Sequence, residues 1–190
     1  DISKIEAGKL VIQSRPFDLH ALVNSVRYML APMGEAKGLT VSCHMDPQTP
    51  FSLIGDQPHI RQVLINLIRN AQDAMEKGGR LAVRTSAASE WDGRRERETV
   101  RVRISDTGCG ISHEYLTRVF DPFFSTKPPE KGTGLGLCVS FSIVRMYGGT
   151  IDLESEPGKG TTVLVSLPVD ESRMAESAES ESGPGSPPKR

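Results

Sequence analysis

Three stretches of the chain carry apolar residues every third or fourth position. Between them lie short runs in which apolar and polar residues alternate. The first stretch opens at Asp18, a residue type that caps helices, and continues through Leu19, Leu22, Val23, Val26 and Leu30. The second follows Asp56, tolerates Pro58 in its first turn, and sets Ile60, Val63, Leu64, Leu67, Ile68, Ala71 and Met75 in one stripe. Gly78-Gly79 is expected to end it. The third runs from about Leu135 to Tyr147 and stops at Gly148-Gly149. Ser112 to Val119 predicts one further short helix. Strands are expected at Lys9–Gln13, Thr40–Met45 and Phe51–Ile54, the last two separated by Pro47 and Pro50. Leu81–Ala87 and Thr99–Ser105 read as a hairpin whose charged insert, Glu90 to Glu98, is a solvated loop. Ile151–Ser155 and Thr161–Leu167 read as a closing hairpin around Pro157-Gly158-Lys159-Gly160.

Composition narrows this without changing it. The chain has 190 residues, 37% hydrophobic and 25% charged, which suits one soluble globular domain with flanking segments. A net charge of −1 gives no bulk attraction to nucleic acid or to an anionic membrane. No apolar run approaches the roughly 18 residues that span a bilayer. Cys43, Cys109 and Cys138 are odd in number and share no metal-ligand spacing, so unpaired thiols in a reducing compartment are expected. Asp1 to Gly8 reads as the last turns of a helix. With no starting methionine and no leader pattern, the chain reads as a fragment. Residues 171–190 contain five serines, three prolines and no aromatic residue, and are expected to be disordered.

The chemistry concentrates in four patches within about 75 residues. On the second helix, Asn66, Asn70, Asp73 and Lys77 are spaced to line a polar face beside the apolar stripe. An amide oxygen there is a hard, neutral ligand of the kind Mg²⁺ accepts. Asp106 ends a strand and enters a loop with Gly108 and Gly110. A carboxylate so placed can accept a hydrogen bond from an exocyclic amine such as that of adenine, and the glycines let the backbone approach the ring. Phe120-Asp121-Pro122-Phe123-Phe124 opens a loop expected to be mobile, with Phe120 in the core, Phe123 and Phe124 as latches, and Lys127 and Lys131 within reach of phosphates. Gly132-Thr133-Gly134-Leu135-Gly136-Leu137 then opens a helix, and backbone N–H groups at a helix start attract anions. Neither the Gly-x-x-x-x-Gly-Lys-Ser/Thr phosphate loop nor the dinucleotide fingerprint fits the spacing or the context. His20, His44, His59 and His113 are scattered, and each reads as structural or exposed rather than catalytic. Cys109 reads as a small loop residue.

Together these residues resemble the catalytic and ATP-binding domain of sensor histidine kinases, within the wider gyrase, chaperone and mismatch-repair ATPase superfamily. Asn66-Leu-Ile-Arg-Asn70-Ala looks like the asparagine box, Asp106 to Ile111 the first glycine box, Phe120 to Phe124 the phenylalanine box, and Gly132 to Leu137 the second glycine box. Gly160-Thr161-Thr162-Val163 is similar to the family's last strand, whose threonine helps hold adenine. The resemblance implies a two-layer α/β sandwich, with a mixed, mostly antiparallel sheet, helices on one face and a mobile ATP lid. It implies ATP with Mg²⁺ on Asn70, adenine on Asp106, and phosphates at the second glycine box. Asp73, Lys77, Gly108, Gly110, Ile111, Phe123, Thr126, Lys127, Thr133 and Thr161 would complete the nucleotide contacts. Asn66 stands where the superfamily's hydrolases carry a glutamate base, which favours phosphoryl transfer over hydrolysis. Asp73 departs from the basic residue many of these kinases carry, so Lys77 or Arg69 would supply a phosphate contact. The organisation implied is the end of a dimerisation and phosphoacceptor helix at 1–8, the kinase domain at 9–170, and a tail or linker at 171–190. The expected setting is a cytoplasmic domain of a homodimeric parent, membrane-anchored or not. That parent passes phosphate from a histidine upstream to an aspartate on a response regulator receiver domain, with no nucleic-acid partner. An ATPase switch and a non-catalytic nucleotide-binding module are the alternatives left open.

Overall fold

The computed structural model describes residues 15–49, 52–91, 96–128 and 132–169. The expected helix end at 1–8, the strand at 9–13, Lys131 and the tail at 171–190 lie outside them. Strand β1 (Arg15–Asp18) leads into helix α1 (Leu19–Ala36), where Asp18 caps as expected, accepting from Ala21 N at 2.9 Å. After β2 (Leu39–Met45) and β3 (Ser52–Gly55) comes α2 (Gln57–Asp73). Strands β4 (Gly79–Trp91) and β5 (Glu96–Asp106) form the expected hairpin. The short helix α3 (His113–Leu116), helix α4 (Gly136–Met146) and the closing hairpin β6 (Thr150–Glu156) and β7 (Gly160–Pro168) complete the fold.

Five strands form one mixed sheet in the order β2-β4-β5-β7-β6, parallel only between β2 and β4. β1 and β3 form a separate antiparallel pair. Alternation decides the faces. Leu81, Val83, Val100, Val102, Ile104, Val163, Val165 and Leu167 are buried on one face, whereas Arg80, Arg84 and Arg103 stand exposed on the other. The apolar stripes of α1, α2 and α4 join the buried face in a single core cluster. The six stripe residues of α2, Ile60 to Ala71, are buried, and so is Met75 just beyond the helix. Tyr147 ties the two site helices together: its hydroxyl accepts from Asp56 N, at the start of α2, at 3.1 Å, while Tyr147 itself caps the end of α4.

Four local expectations change. Helix α2 ends at Asp73 rather than at Gly78-Gly79. Met75 turns inward to 2% exposure, and the Ala74 carbonyl accepts from Cys109 N at 3.0 Å, so the chain leaves the helix to support the next loop. Gly78 and Gly79 are both at positive φ, and Gly79 instead starts β4. Asp56 occupies the N-cap position of α2, but its side chain caps nothing there. Its carboxylate lies 3.5 Å from His59 Nδ1. The insert Glu90–Glu98 belongs largely to the hairpin, which continues to Trp91 and Glu96, and Arg101 bonds Glu90 at 2.9 Å. The helix expected at Ser112–Val119 has regular turns only over His113–Leu116.

Candidate nucleotide-binding site

Helix α2 presents Asn66, Asn70 and Asp73 along one side, as their spacing requires. The Asn66 amide nitrogen donates to Gly136 O at 3.2 Å and to Ser140 Oγ at 3.3 Å, fastening α2 to the first turn of α4. Asn70 Oδ1 accepts from Lys127 Nζ at 3.1 Å, so a cation already faces this amide oxygen. Lys127 also bonds Asp73 Oδ2 at 3.0 Å, and Lys37 Nζ takes the other carboxylate oxygen at 3.0 Å. Burial alone would push the Asp73 carboxyl up, but the two ammonium groups outweigh it and hold the carboxyl below its usual range. Lys77 is not part of this group. It sits exposed in the turn beyond the shortened helix, so the polar face expected to run from Asn66 to Lys77 ends at Asp73. Arg69 is exposed.

Asp106 closes β5 where the β6–β7 hairpin passes it. Its Oδ1 accepts from Gly108 N at 2.8 Å and from Thr161 N at 3.2 Å. Among the described residues, Oδ2 accepts none. Burial raises the carboxyl above its usual range, and the two backbone bonds only partly offset this. The surrounding loop is built tightly. Ile111 N donates to Ser155 Oγ at 2.8 Å, and Ser155 Oγ lies 2.9 Å from Thr161 Oγ1. At Gly160, φ is +113° and any Cβ would collide with the Asp106 carbonyl oxygen, so only glycine lets β7 come this close.

The segment after α3 supplies the other wall. Phe120 is partly buried against the core, as expected, and its ring meets that of Phe141 at a tilt, with centroids 5.1 Å apart. Phe124 packs on Tyr115 at 5.6 Å and beneath the Arg118 guanidinium. Phe123 makes no latch in this state: it is 74% exposed and sits at φ 65°, an uncommon conformation for a bulky residue. Thr126 and Thr133 are exposed, while Gly132 N bonds Pro128 O at 3.1 Å. Gly134 (φ +66°) lies so close to Phe123 that a Cβ would strike its backbone. Leu135 occupies the N-cap position of α4 and its side chain caps nothing, while its own N–H donates to Thr133 Oγ1 at 3.4 Å.

Residues 55–171 match the family model described as Histidine kinase-, DNA gyrase B-, and HSP90-like ATPase. The chain belongs to this ATPase family. The sensor histidine kinase GacS of Pseudomonas protegens is 36% identical over 177 residues, which are 91% of this chain and 19% of GacS. The chain therefore spans about a fifth of the length of that relative. Among solved structures, full-length ShkA in complex with AMPPNP superposes with a TM-score of 0.74 at 25% identity, covering 88% of this chain and 33% of ShkA. The nucleotide-free catalytic domain of the histidine kinase ThkA superposes with a TM-score of 0.69 at 26% identity, covering 83% of this chain and 98% of that one.

The ATPase domain thus brings most of the expected residues to one place. Asn66 and Asn70 face Gly136, whose Cβ position lies 3.8 Å from Asn66 Cγ and 3.9 Å from Asn70 Nδ2. Leu137 packs against the core just inside the same helix start. Lys127 joins from the loop, and the Asp106–Gly108–Gly110–Ile111 segment joins through Ala74 and Thr161. Lys37 was not foreseen. It sits at the end of α1 with no local motif around it, and only the folded contact with Asp73 reveals it. The three cysteines are free. No helix among the described residues is long and apolar enough to cross a membrane.

Proposed function

We propose that this domain binds ATP with Mg²⁺ and that, in its parent protein, it transfers the γ-phosphoryl group to a histidine on an upstream dimerisation domain. A response regulator aspartate then receives the phosphate. The observation that carries this reading is the convergence of four sequence patches on one side of α2. A half-buried carboxylate whose Oδ2 accepts no hydrogen bond among the described residues stands at one end, and a helix start without a side-chain cap, with two lysines nearby, stands at the other. Asp106 Oδ2 takes the adenine amine and Thr161 flanks it. The start of α4, from Gly132 to Leu137, takes phosphate oxygens on its N–H groups.

Asn70 fits a divalent cation on its own chemistry. Its Oδ1 is a hard, neutral oxygen that already faces an ammonium group, and Mg²⁺ is commonly held by one or two protein oxygens together with substrate phosphates and water. The metal would neutralise charge that builds on the transferring group. The chain's own part is positioning: Asn70 orients the phosphates, Lys127 adds charge, and closure of the loop that carries Lys127 excludes water. Asn66 supports transfer over hydrolysis. An amide cannot act as a general base, and its nitrogen is committed to Gly136 and Ser140. The 36% identity to a sensor histidine kinase and the likeness to ShkA in complex with AMPPNP point the same way. A homodimeric parent with this domain in the cytoplasm is part of the proposal. Calorimetric titration with ATP, with and without Mg²⁺, tests it. Binding strengthened by the metal is expected, and no binding under either condition would reject it. Radiolabelled ATP with an added dimerisation domain then tests transfer.

A further inference from the structure

Asp73 presents an anion where an incoming triphosphate would meet repulsion, which makes it a poor ligand for the nucleotide. Its contacts give it a different role. One carboxylate oxygen is clamped by Lys37 at 3.0 Å, and Lys37 is itself anchored on the Gln72 carbonyl at 3.1 Å. The second oxygen therefore points to the lid, where it holds the Lys127 ammonium at 3.0 Å. That same ammonium reaches Asn70 Oδ1 at 3.1 Å, the oxygen assigned above to the metal. A lysine from a loop some 50 residues along the chain thus occupies the cation's place on Asn70. Lys127 is held there by a carboxylate one helical turn further on, and its backbone N–H is pinned to Ser125 Oγ at 3.1 Å.

We propose that Asp73 is a positioning residue for the lid: before nucleotide binds, it parks Lys127 on Asn70, and ATP binding frees Lys127 for the terminal phosphate. This rests on the nucleotide reading above. A divalent cation on Asn70 Oδ1 would repel an ammonium held 3.1 Å from that same oxygen, so loading the metal site drives the lysine away. Triphosphate oxygens offer the departing ammonium a stronger, charge-assisted partner than a half-exposed carboxylate. Lid release is thereby coupled to arrival of both the metal and the γ-phosphate. ADP, lacking that phosphate, returns Lys127 to Asp73.

The test compares four forms of this 190-residue chain by calorimetry with ATP and with ADP in MgCl₂: wild type, Asp73→Asn, Lys127→Met and the double variant. Asp73→Asn is expected to tighten ATP binding about two- to fivefold, the range for one partly exposed ion pair. Lys127→Met is expected to weaken ATP binding about tenfold, as for a lost bond between charged groups, with a smaller effect on ADP. In the Lys127→Met background, Asp73→Asn should give no tightening, because no lysine remains to be released. Tightening of equal size in that background would show simple repulsion between Asp73 and phosphate and overturn the proposal. So would both single variants weakening ATP binding, the result for a merely structural ion pair. Lys127 lies in a loop and its variant keeps the fold, so unchanged ATP affinity in Lys127→Met alone also overturns the proposal. Wild-type protein that binds no ATP rejects the nucleotide reading instead.

Discussion

Replacing Asp106 with asparagine separates binding from folding, and the structure fixes which way the new amide turns. Oδ1 of Asp106 accepts two backbone N–H bonds, from Gly108 and from Thr161. Both require an acceptor, so the asparagine oxygen must take that position and its NH₂ must replace Oδ2. A donor then faces the adenine amine, itself a donor. The loss is at least one charge-assisted hydrogen bond, about 1.5–3 kcal/mol, which corresponds to about a 10- to 150-fold rise in the dissociation constant for ATP. The fold should not suffer. Burial already disfavours the Asp106 charge, and the neutral amide keeps both backbone bonds. A thermal midpoint equal to or slightly above that of the parent is expected. The same geometry predicts a change in base preference. The outward NH₂ can donate to the carbonyl oxygen that guanine carries where adenine has its amine, so discrimination between ATP and GTP should narrow. Calorimetry with both nucleotides, beside a melting curve, measures each quantity. A folded variant with parental ATP affinity would refute the placement of adenine at Asp106.

Acidification should weaken ATP binding by the wild type with a midpoint above the usual aspartate value of about 3.9, because the adenine amine needs the ionised carboxylate and burial raises the Asp106 carboxyl; the asparagine variant should lose this dependence. The folding sign is opposite: the native state holds that proton more tightly than the unfolded chain, so this group's contribution to stability is present at low pH and disappears as pH rises through its folded value. Asn70→Ala should abolish the gain in ATP affinity given by Mg²⁺ while leaving binding in a chelator nearly unchanged, and a preserved metal effect would remove Asn70 as a ligand. With radiolabelled ATP and Mg²⁺, the chain alone should accumulate no acid-labile, base-stable label on its histidines. His20 bonds Thr85 and His59 lies between Tyr147 and Asp56, while His44 and His113 are exposed on elements outside the site; label on any of the four would locate an acceptor within this chain.

What the sequence could reveal depended on how local the cause was. The apolar stripe of α2 repeats with the helix, so its six core residues from Ile60 to Ala71 and the side carrying Asn66 and Asn70 could be read directly. The glycine patches were legible for the same reason, since close approach and positive φ demand glycine whatever lies opposite. The end of α2 was not legible. Gly78-Gly79 is a good local stop, but the helix stops earlier because Met75 is drawn into the core and the Ala74 carbonyl is claimed by Cys109, a partner 35 residues away. That one displacement took Lys77 out of the site. It also left Asp73 near the helix end, where Lys37 from one side and Lys127 from the other could reach it. Composition counts these three residues as ordinary surface charges, and no periodicity links positions 37, 73 and 127. Their role follows from topology alone: β2 pairs parallel with β4, which brings the end of α1 beside the end of α2, and Lys127 from the loop before α4 reaches the same end of α2. A basic residue at position 73 would repel both lysines. The acidic residue is therefore the choice consistent with a lid whose own lysine rests on the helix until phosphate draws it away.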